Sequence, residues 1–244
     1  MDPTTISAGV EARSVDASCG IDWWGKAWKL LTRDALIWVV MAVLFMVIMI
    51  VLGFVPLLGS IAASVLLPVF VGSWMLAARK VQGGAALEVG DLFLGFKDQV
   101  KPLLVLGALF FAVSVVIALI GGALGMSAVM GLMMGGSRYT TGGTMAALGA
   151  GMLALLVMVV LGFLAAMAMW FAPALVVLRG IAPVDALKAS FAANLKNIVP
   201  FLVYSVIGFV ASIVASIPFG LGWLVLTPVM LLSLYVSYQD VFGA

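Results

Sequence analysis

The residues that could do chemistry in this chain are few, and their spacing does not assemble a reaction. The 244 residues include no His and a single Cys, Cys19, so the commonest general base and an imidazole metal ligand are both missing. The acidic residues alternate with lysines, as in Asp91, Lys97, Asp98, Lys101, Asp185 and Lys188. This alternation predicts a solvated ionic collar and no catalytic pair of acids. The sequence therefore favours a protein that is not an enzyme.

A second set of residues with chemical potential is the methionines in the Gly- and Met-rich stretch 121–151. Thioethers can bind Cu(I) on an oxidising side of a membrane. The methionines are Met126, Met130, Met133, Met134 and Met145. No Cys or His joins them, and Met is also an ordinary filler of apolar packing. We therefore predict no metal and no cofactor, and we interpret 135–143 as a flexible outer loop.

The strongest local pattern is the segment 22–33, which reads DWWGKAWKLLTR. In a helix its apolar residues fall on one face and its charged residues on the other. Such a helix suits the lipid headgroup boundary, with rings at the acyl edge and cations on anionic phosphates. The predicted lipid-interface residues are Trp23, Trp24, Lys26, Trp28, Lys29 and Arg33. A plainer interpretation is that these residues only anchor the first membrane span.

The elements that must position these residues are membrane helices. The chain is 65% hydrophobic and 9% charged, with a mean hydropathy of +1.30, whereas soluble domains are about a quarter charged. A membrane helix needs about 20 mostly apolar residues. Runs of that length without charge lie near 36–54, 60–78, 102–123, 153–178, 197–216 and 219–238. The predicted fold class is all-α, a polytopic membrane protein with six transmembrane helices.

The charges predict the orientation of these helices. Of the twelve Lys and Arg residues, all except Arg138 lie in segments on one side of the six runs. Because basic residues accumulate in cytoplasmic loops, this bias predicts a multi-pass protein with both termini in the cytoplasm. Residues 1–20 lack the apolar core of a signal peptide. We expect them to form a flexible cytoplasmic tail before a single transmembrane domain over 21–242.

The six helices are predicted to form three hairpins, each preceded by an amphipathic interfacial segment. Those segments are 22–33, 91–101 and 184–196. The second span of each hairpin contains one proline: Pro68, Pro173 or Pro228. Proline removes a backbone hydrogen bond and bends a helix, so these positions are predicted kinks. They could enclose a cavity, as in transporters with broken helices, but membrane helices also tolerate proline without any functional role.

Several short motifs resemble a group of uncharacterised proteobacterial inner-membrane proteins with six spans. The motifs occupy Gly20–Trp28 (GIDWWGKAW), Pro56–Gly59, Asp91–Phe96 (DLFLGF), Trp170–Pro173 (WFAP) and Tyr235–Phe242 (YVSYQDVF). The resemblance covers about residues 20 to 242 and implies a bacterial inner membrane and a helical-hairpin fold. More distantly, the layout is similar to the membrane domain attached to some glycerophosphodiester phosphodiesterases. That similarity imports no catalysis, because the acidic and His residues of that chemistry are absent here.

Three hypotheses about function follow from these patterns. The first is an inner-membrane protein that binds lipid, especially anionic headgroups, or partner membrane proteins, without catalysis. The second is a channel or carrier for an uncharged or amphiphilic solute, since charge-free spans disfavour ion coupling. The third is an enzyme at the cytosolic face. A net charge of only +2 gives no reason to expect a nucleic-acid partner.

Overall fold

The structure, a computed structural model, describes residues 11–97, 99–134 and 141–243. Asp98, Arg138, residues 135–140 of the predicted loop 135–143 and the first ten residues of the predicted tail lie outside the described residues, as do the side chains of Met133, Met134 and Met145. Residues 141–143 of that predicted loop are helical instead. Every regular element in the described ranges is helical. In chain order they are α1 (Cys19–Leu31), α2 (Ala35–Gly53), α3 (Leu58–Gln82), a 3₁₀ helix (Val89–Phe96), α4 (Val100–Met134), α5 (Thr141–Trp170), α6 (Ala172–Arg179), α7 (Pro183–Lys196), α8 (Ile198–Ser216) and α9 (Trp223–Phe242).

Six candidate spans are present among the described residues, which confirms the predicted fold class. They are Ala35–Gly53, Leu58–Gln82, Val100–Met126, Gly149–Arg179, Ile198–Ser216 and Trp223–Phe242. Each is long and apolar enough to cross a membrane. In such sequences a helix forms because no water competes for the backbone groups, which must pair within the segment.

The start of the sixth span differs from the prediction. The helix α9 begins at Trp223, four residues after the predicted start at Phe219. Phe219 and Gly220 have positive φ values of 52° and 81°, a left-handed conformation that cannot continue a right-handed helix. The connection between α8 and α9 is therefore a longer turn than the predicted Ile217–Pro218 pair.

The contacts within the chain group it into two compact units. The first unit comprises Met1–Ala108 and Met167–Ala244, and the second comprises Leu109–Ala166. The division falls within α4 and α5, which are 35 and 30 residues long and so exceed the roughly 20 residues that a bilayer needs. In the second unit the Met158 side chain packs directly on Gly121, and a Cβ at that position would have to displace it.

The core of the first unit is rich in aromatic rings. Trp23, Trp38, Trp74, Phe171 and Tyr238 are fully buried there. The rings of Trp38 and Trp74 stack with centroids 5.1 Å apart, which joins α2 to α3. Buried residues make up 50% of the span in α3 and 61% in α9, against 17% in α2 and 22% in α8. The helices α3 and α9 are therefore the inner helices of this unit, and α2 and α8 are peripheral.

The segment before α1 makes specific contacts, which corrects the prediction of a flexible tail for this part. The Arg13 amide donates to the Val241 carbonyl at 2.7 Å. The side chain of Asn197 accepts from the Val15 amide and donates to the Arg13 carbonyl, both at 2.8 Å. These long-range bonds satisfy backbone groups that would otherwise be solvated, so they attach the segment to the ends of α7 and α9.

A helix break separates α5 from α6 at Phe171, two residues before Pro173. The Ser190 hydroxyl of α7 accepts a bond from the Phe171 amide at 2.9 Å and donates to the Met167 carbonyl at 2.8 Å. Asn194 also donates to that carbonyl at 3.0 Å. In an uninterrupted helix the Phe171 amide would bond to the Met167 carbonyl directly. The serine side chain is thus inserted into the backbone ladder, a recognised cause of a kink.

Candidate functional site at the basic end of the first unit

The first unit has one end at which charged and polar side chains of several helices converge. Here the Lys26 ammonium of α1 contacts Asp240 of α9, and Gln82 of α3 bonds to Gln239 of α9. The Arg179 guanidinium at the end of α6 donates to the Phe242 carbonyl. We call this region the basic end. It is the place where the sequence-predicted interfacial residues and several unpredicted ones meet.

The inner face of α1 is fixed to the protein through Asp240. The Trp23 indole N–H donates to one Asp240 oxygen at 3.0 Å, and the Lys26 ammonium lies 2.8 Å from the same oxygen. The Trp23 ring also packs on Phe201 and Tyr204 of α8, with centroids 5.0 and 6.1 Å away. A Cβ at position 20 would collide with the Pro200 carbonyl, so glycine permits this close approach.

The placement of Trp23 corrects the prediction that its ring lies in lipid. Trp23 is completely buried, together with Ala27 and Leu31 on the same face of α1. A protein interior and a lipid boundary are both apolar, so helical periodicity alone could not distinguish them. The face predicted to meet lipid is therefore, for these residues, the face that packs on protein.

The other predicted interfacial residues occupy different positions around α1. Trp24 is partly buried and stacks on Tyr204, with centroids 4.8 Å apart. Trp28 is 51% exposed, and Lys29 and Arg33 are exposed beside it. The helix therefore has a protein-facing side and an outer side that displays Trp28 and Lys29, and Arg33 follows two residues after the helix ends. The structure brings Trp23 and Lys26 together on Asp240 and leaves Trp28, Lys29 and Arg33 on the surface.

Two titrating groups on α1 are perturbed by this arrangement. The hydrogen bond from the Lys26 ammonium to the Asp240 carboxylate raises the pKa of Lys26 above its ordinary value of 10.5. Burial, reinforced by the negative charge of Asp240, raises the pKa of the Cys19 thiol. Lys26 is consequently charged, and Cys19 protonated, throughout the physiological range.

A polar cleft of about 490 Å³ opens beside α1 at the same end. It lies between the carboxyl-terminal turns of α3, α6 and α9, and its lining residues are Arg79, Gln82, Gly83, Leu178, Arg179, Tyr235, Tyr238 and Gln239. Two guanidinium groups are thus present, and none of these lining residues is acidic.

A hydrogen-bond network fixes the floor of this cleft. The Gln82 amide oxygen accepts from the Tyr235 hydroxyl and from the Gln239 amide nitrogen, each at 2.6 Å. The Gln82 amide nitrogen donates in return to the Gln239 oxygen at 3.2 Å. Because each amide is held by reciprocal bonds, the orientation of both side chains is defined.

The two arginines of the cleft have different surroundings. Arg179 donates from Nε to the Tyr238 hydroxyl at 2.9 Å and from a terminal nitrogen to the Phe242 carbonyl at 2.7 Å. Its guanidinium lies 5.9 Å from the ring centroids of both residues, a distance typical of cation–π contact. Arg79 is exposed at the rim.

Two carboxylates at the basic end are paired with lysines. Asp240 pairs with Lys26, and the buried Asp91 lies 2.9 Å from the Lys80 ammonium. Asp91 also accepts from the Glu88 amide, which places it at the start of the 3₁₀ helix. These pairs explain how acidic side chains are accommodated at this end without neutralising Arg79.

The three predicted kink prolines lie in the core of the first unit. Pro68, Pro173 and Pro228 are buried, and α3 and α9 continue as helices through Pro68 and Pro228. A second, apolar groove of about 630 Å³ lies between α8 and α9, and its lining includes Pro218 but none of the three prolines. Among the described residues, no group of three or more His, Cys, Asp or Glu side chains could hold a metal ion.

The comparisons with known proteins agree with this architecture. The model of a family described as a domain of unknown function, DUF7847, matches residues 25–241. The chain belongs to this family. It is also similar to a probable inner membrane protein of Burkholderia thailandensis, with 26% identity over 94% of this chain and 93% of that protein. No solved structure matches the chain.

The comparisons bear differently on the two resemblances seen in the sequence. They support membership of a family whose function is unknown and similarity to a probable inner membrane protein. They give no support to a similarity with the membrane domain of glycerophosphodiester phosphodiesterases. The DUF7847 match includes the whole polar cleft, from Arg79 to Gln239.

Sequence reasoning missed most of the cleft residues. Tyr235, Tyr238 and Asp240 were visible only as part of a terminal motif that carried the resemblance. Arg79 and Arg179 counted only as basic charges at helix ends. One feature of the sequence could have indicated the cleft: these polar residues all lie at span ends on the same side of the membrane. Residues in such positions lie at a similar depth, whatever the direction of their spans.

Proposed function

We propose that this chain is a non-enzymatic protein of the bacterial inner membrane whose basic end binds acidic lipid headgroups. The inner-membrane assignment is supported by the name of the Burkholderia thailandensis relative and by the six candidate spans. The basic bias of the loops supports a cytoplasmic position for the basic end and for both termini. Of the two partner classes predicted, lipid and membrane proteins, the surface of α1 favours lipid.

The observation that carries this proposal is the two-sided packing of α1. Its inner side is held to α8 and α9 by Trp23 and by the Lys26–Asp240 pair. Its outer side presents Trp28, which is 51% exposed, and the exposed Lys29, and the exposed Arg33 follows two residues after the helix ends. A tryptophan ring beside cations suits the boundary between acyl chains and anionic headgroups. The helix is thus a fixed platform for lipid and not a free amphipathic peptide.

The expected size of the effect follows from the two cations. Each Lys or Arg near an acidic membrane surface contributes about 1 kcal/mol of attraction. Lys29 and Arg33 together should therefore favour acidic over zwitterionic lipid by about 2 kcal/mol, or about thirtyfold at the contacting positions.

The test compares lipids retained by the purified full chain from bilayers of mixed acidic and zwitterionic phospholipid. Mass spectrometry of the retained lipid should show enrichment of the acidic species. The double variant Lys29→Gln/Arg33→Gln should lose most of that enrichment. The matched control Lys97→Gln/Lys188→Gln removes the same charge away from α1 and should retain it. Equal loss in both variants would show a diffuse effect of surface charge and would refute the role of α1.

A further inference from the structure

We propose that the cleft between the ends of α3, α6 and α9 binds a phosphate group, with Arg79 as the principal ligand. The site is distinct from the outer face of α1, because none of its lining residues belongs to that helix. The phosphate can be that of a lipid headgroup or a free phosphate. In the first case the inference rests on the lipid-binding function proposed above and names the site that takes the headgroup.

The cleft contains hydrogen-bond donors that have no acceptor within the described residues. A Gln side chain has two N–H donors, and Gln82 uses one of them on Gln239 while its oxygen accepts two bonds. The Tyr238 oxygen accepts from Arg179, and no bond donated by its O–H is found within the described residues. The cleft therefore presents donors from Gln82, Tyr238 and Arg79. Phosphate oxygens, which only accept, match such a set.

The positive charge of Arg79 is not paired with a carboxylate among the described residues. Within the described part of the chain this guanidinium forms no hydrogen bond or ion pair, although Asp91 and Asp240 lie at the same end. Those carboxylates are engaged by Lys80 and Lys26 at 2.9 and 2.8 Å. A planar guanidinium offers five donors in a fork that fits two phosphate oxygens. Arg79 is thus placed to bind an anion that the protein itself does not supply.

The helix ends around the cleft provide an alternative reason for basic residues there. The carboxyl end of a helix carries a partial negative charge that favours a nearby cation. This explains Arg179, whose guanidinium binds the Phe242 carbonyl at the end of α9. Arg79 lies in the last turn of α3 and is favoured there by the same partial charge. Unlike Arg179, however, it makes no bond to a carbonyl of the described residues, so its N–H donors stay available for an external anion.

The dimensions and location of the cleft fit the proposed ligand. Its volume of about 490 Å³ falls within the range of roughly 300 to 1,000 Å³ that is usual for small-molecule sites. It opens at the ends of three helices that belong to candidate spans. A headgroup phosphate at the membrane surface and a phosphate dissolved in the adjoining water can both reach that depth.

The experiment uses the full chain in nanodiscs of zwitterionic phospholipid. Binding of inorganic phosphate is measured by ³¹P NMR titration, and binding of phosphatidic acid by native mass spectrometry after its addition to the disc. The variants are Arg79→Gln, which removes the charge, and Gln82→Glu, which keeps the oxygen that accepts from Tyr235 but replaces the donor by an acceptor. Lys188→Gln is the control, because Lys188 is an exposed basic residue on α7 outside the cleft.

We expect at least one of the two probes to bind, with Arg79→Gln and Gln82→Glu each weakening it by about tenfold or more and Lys188→Gln leaving it unchanged. Binding of inorganic phosphate would identify a soluble ligand, and binding of phosphatidic acid alone a lipid headgroup. Binding of neither probe, or equal binding by Arg79→Gln and the control, would overturn the proposal. The thermal unfolding temperature of each variant without ligand shows that it is folded.

The result is separable from that of the α1 experiment. If α1 binds acidic lipid but the cleft binds no phosphate, only Lys29→Gln/Arg33→Gln loses acidic lipid, and Arg79→Gln and Gln82→Glu retain it. If α1 does not select acidic lipid but the cleft does bind phosphate, inorganic phosphate still binds to the wild type and Arg79→Gln still weakens that binding.

Discussion

At the scale of single residues, Asp240 has the largest structural role at the basic end. Its carboxylate accepts from the Trp23 indole and from the Lys26 ammonium, so one side chain connects α9 to two consecutive turns of α1. The side chain of Asp240 is 27% exposed and that of Lys26 is 51% exposed. The bond to Trp23 is therefore more protected from water than the ion pair, and the two contributions can be separated by substitution.

We predict that Asp240→Ala lowers the free energy of unfolding by about 1 to 3 kcal/mol, since it leaves the buried Trp23 N–H without an acceptor. Asp240→Asn keeps an acceptor oxygen and loses only the partly solvated ion pair, so it should lower this free energy by about 1 kcal/mol or less. Denaturant unfolding of the purified chain in detergent measures both. Asp185→Asn, at an exposed pair with Lys188, is the control, and an equal effect in all three variants would contradict the prediction.

The ion pair also predicts a dependence on pH. The folded-state pKa of Lys26 is raised above 10.5, so the folded chain holds this proton more tightly than the unfolded chain. The resulting stability is complete below about pH 10.5 and is lost as the pH rises through the higher folded pKa. The difference in stability between the wild type and Asp240→Asn should therefore be constant near neutrality and shrink only in alkaline buffer.

At the scale of elements, the break between α5 and α6 is the clearest local departure from regular helix. Ser190 takes the place of a backbone hydrogen bond between Phe171 and Met167, and the serine is completely buried. Pro173 cannot donate to the Met169 carbonyl, so the backbone bonds of residues 171 and 173, two positions apart, are both altered. The bend is fixed by α7 as well as by the proline.

Ser190→Ala is predicted to destabilise the chain by about 1 to 3 kcal/mol, because the buried Phe171 amide would lose its acceptor. Ser64→Ala is the matched control, since the Ser64 hydroxyl is only partly buried and bonds within its own helix. Thermal unfolding in detergent should show a lower midpoint for Ser190→Ala than for the control. Indistinguishable midpoints would mean that the helix closes its own ladder once the hydroxyl is gone.

The helices themselves were predictable from the sequence, and their partners were not. The first span was predicted over 36–54 and is Ala35–Gly53, and the fifth was predicted over 197–216 and is Ile198–Ser216. Length and apolarity determine these boundaries because the membrane imposes them. The burial of Trp23 and the cleft around Arg79 depend on contacts between residues far apart in the chain. The periodicity of hydrophobic residues within one segment does not indicate which distant segment it will contact.

At the scale of the whole molecule, the basic bias predicts which side each described loop faces. Single cysteines at positions 83, 185 and 244, introduced after Cys19→Ala, should react with a membrane-impermeant maleimide only in permeabilised cells, and one at position 139 should react in intact cells. The physical reason is the retention of Lys- and Arg-rich loops in the cytoplasm. Gly83 and Asp185 are exposed in the structure, so lack of labelling there would not reflect burial. Labelling of position 185 in intact cells would reverse the topology.

The contact between α1 and α9 also constrains the order in which the protein can mature. Trp23 and Asp240 are 217 positions apart, and Asp240 belongs to the sixth candidate span, which is synthesised long after α1. At about 5 to 20 residues per second, α1 waits roughly 10 to 40 s before its partner has been synthesised. During that interval Trp23 can pack on Phe201 and Tyr204 once α8 has been made, but its indole N–H and the Lys26 ammonium have no Asp240 carboxylate to bind. A chain truncated just before Asp240 would keep five of the six candidate spans intact and yet leave the Trp23 N–H without its acceptor.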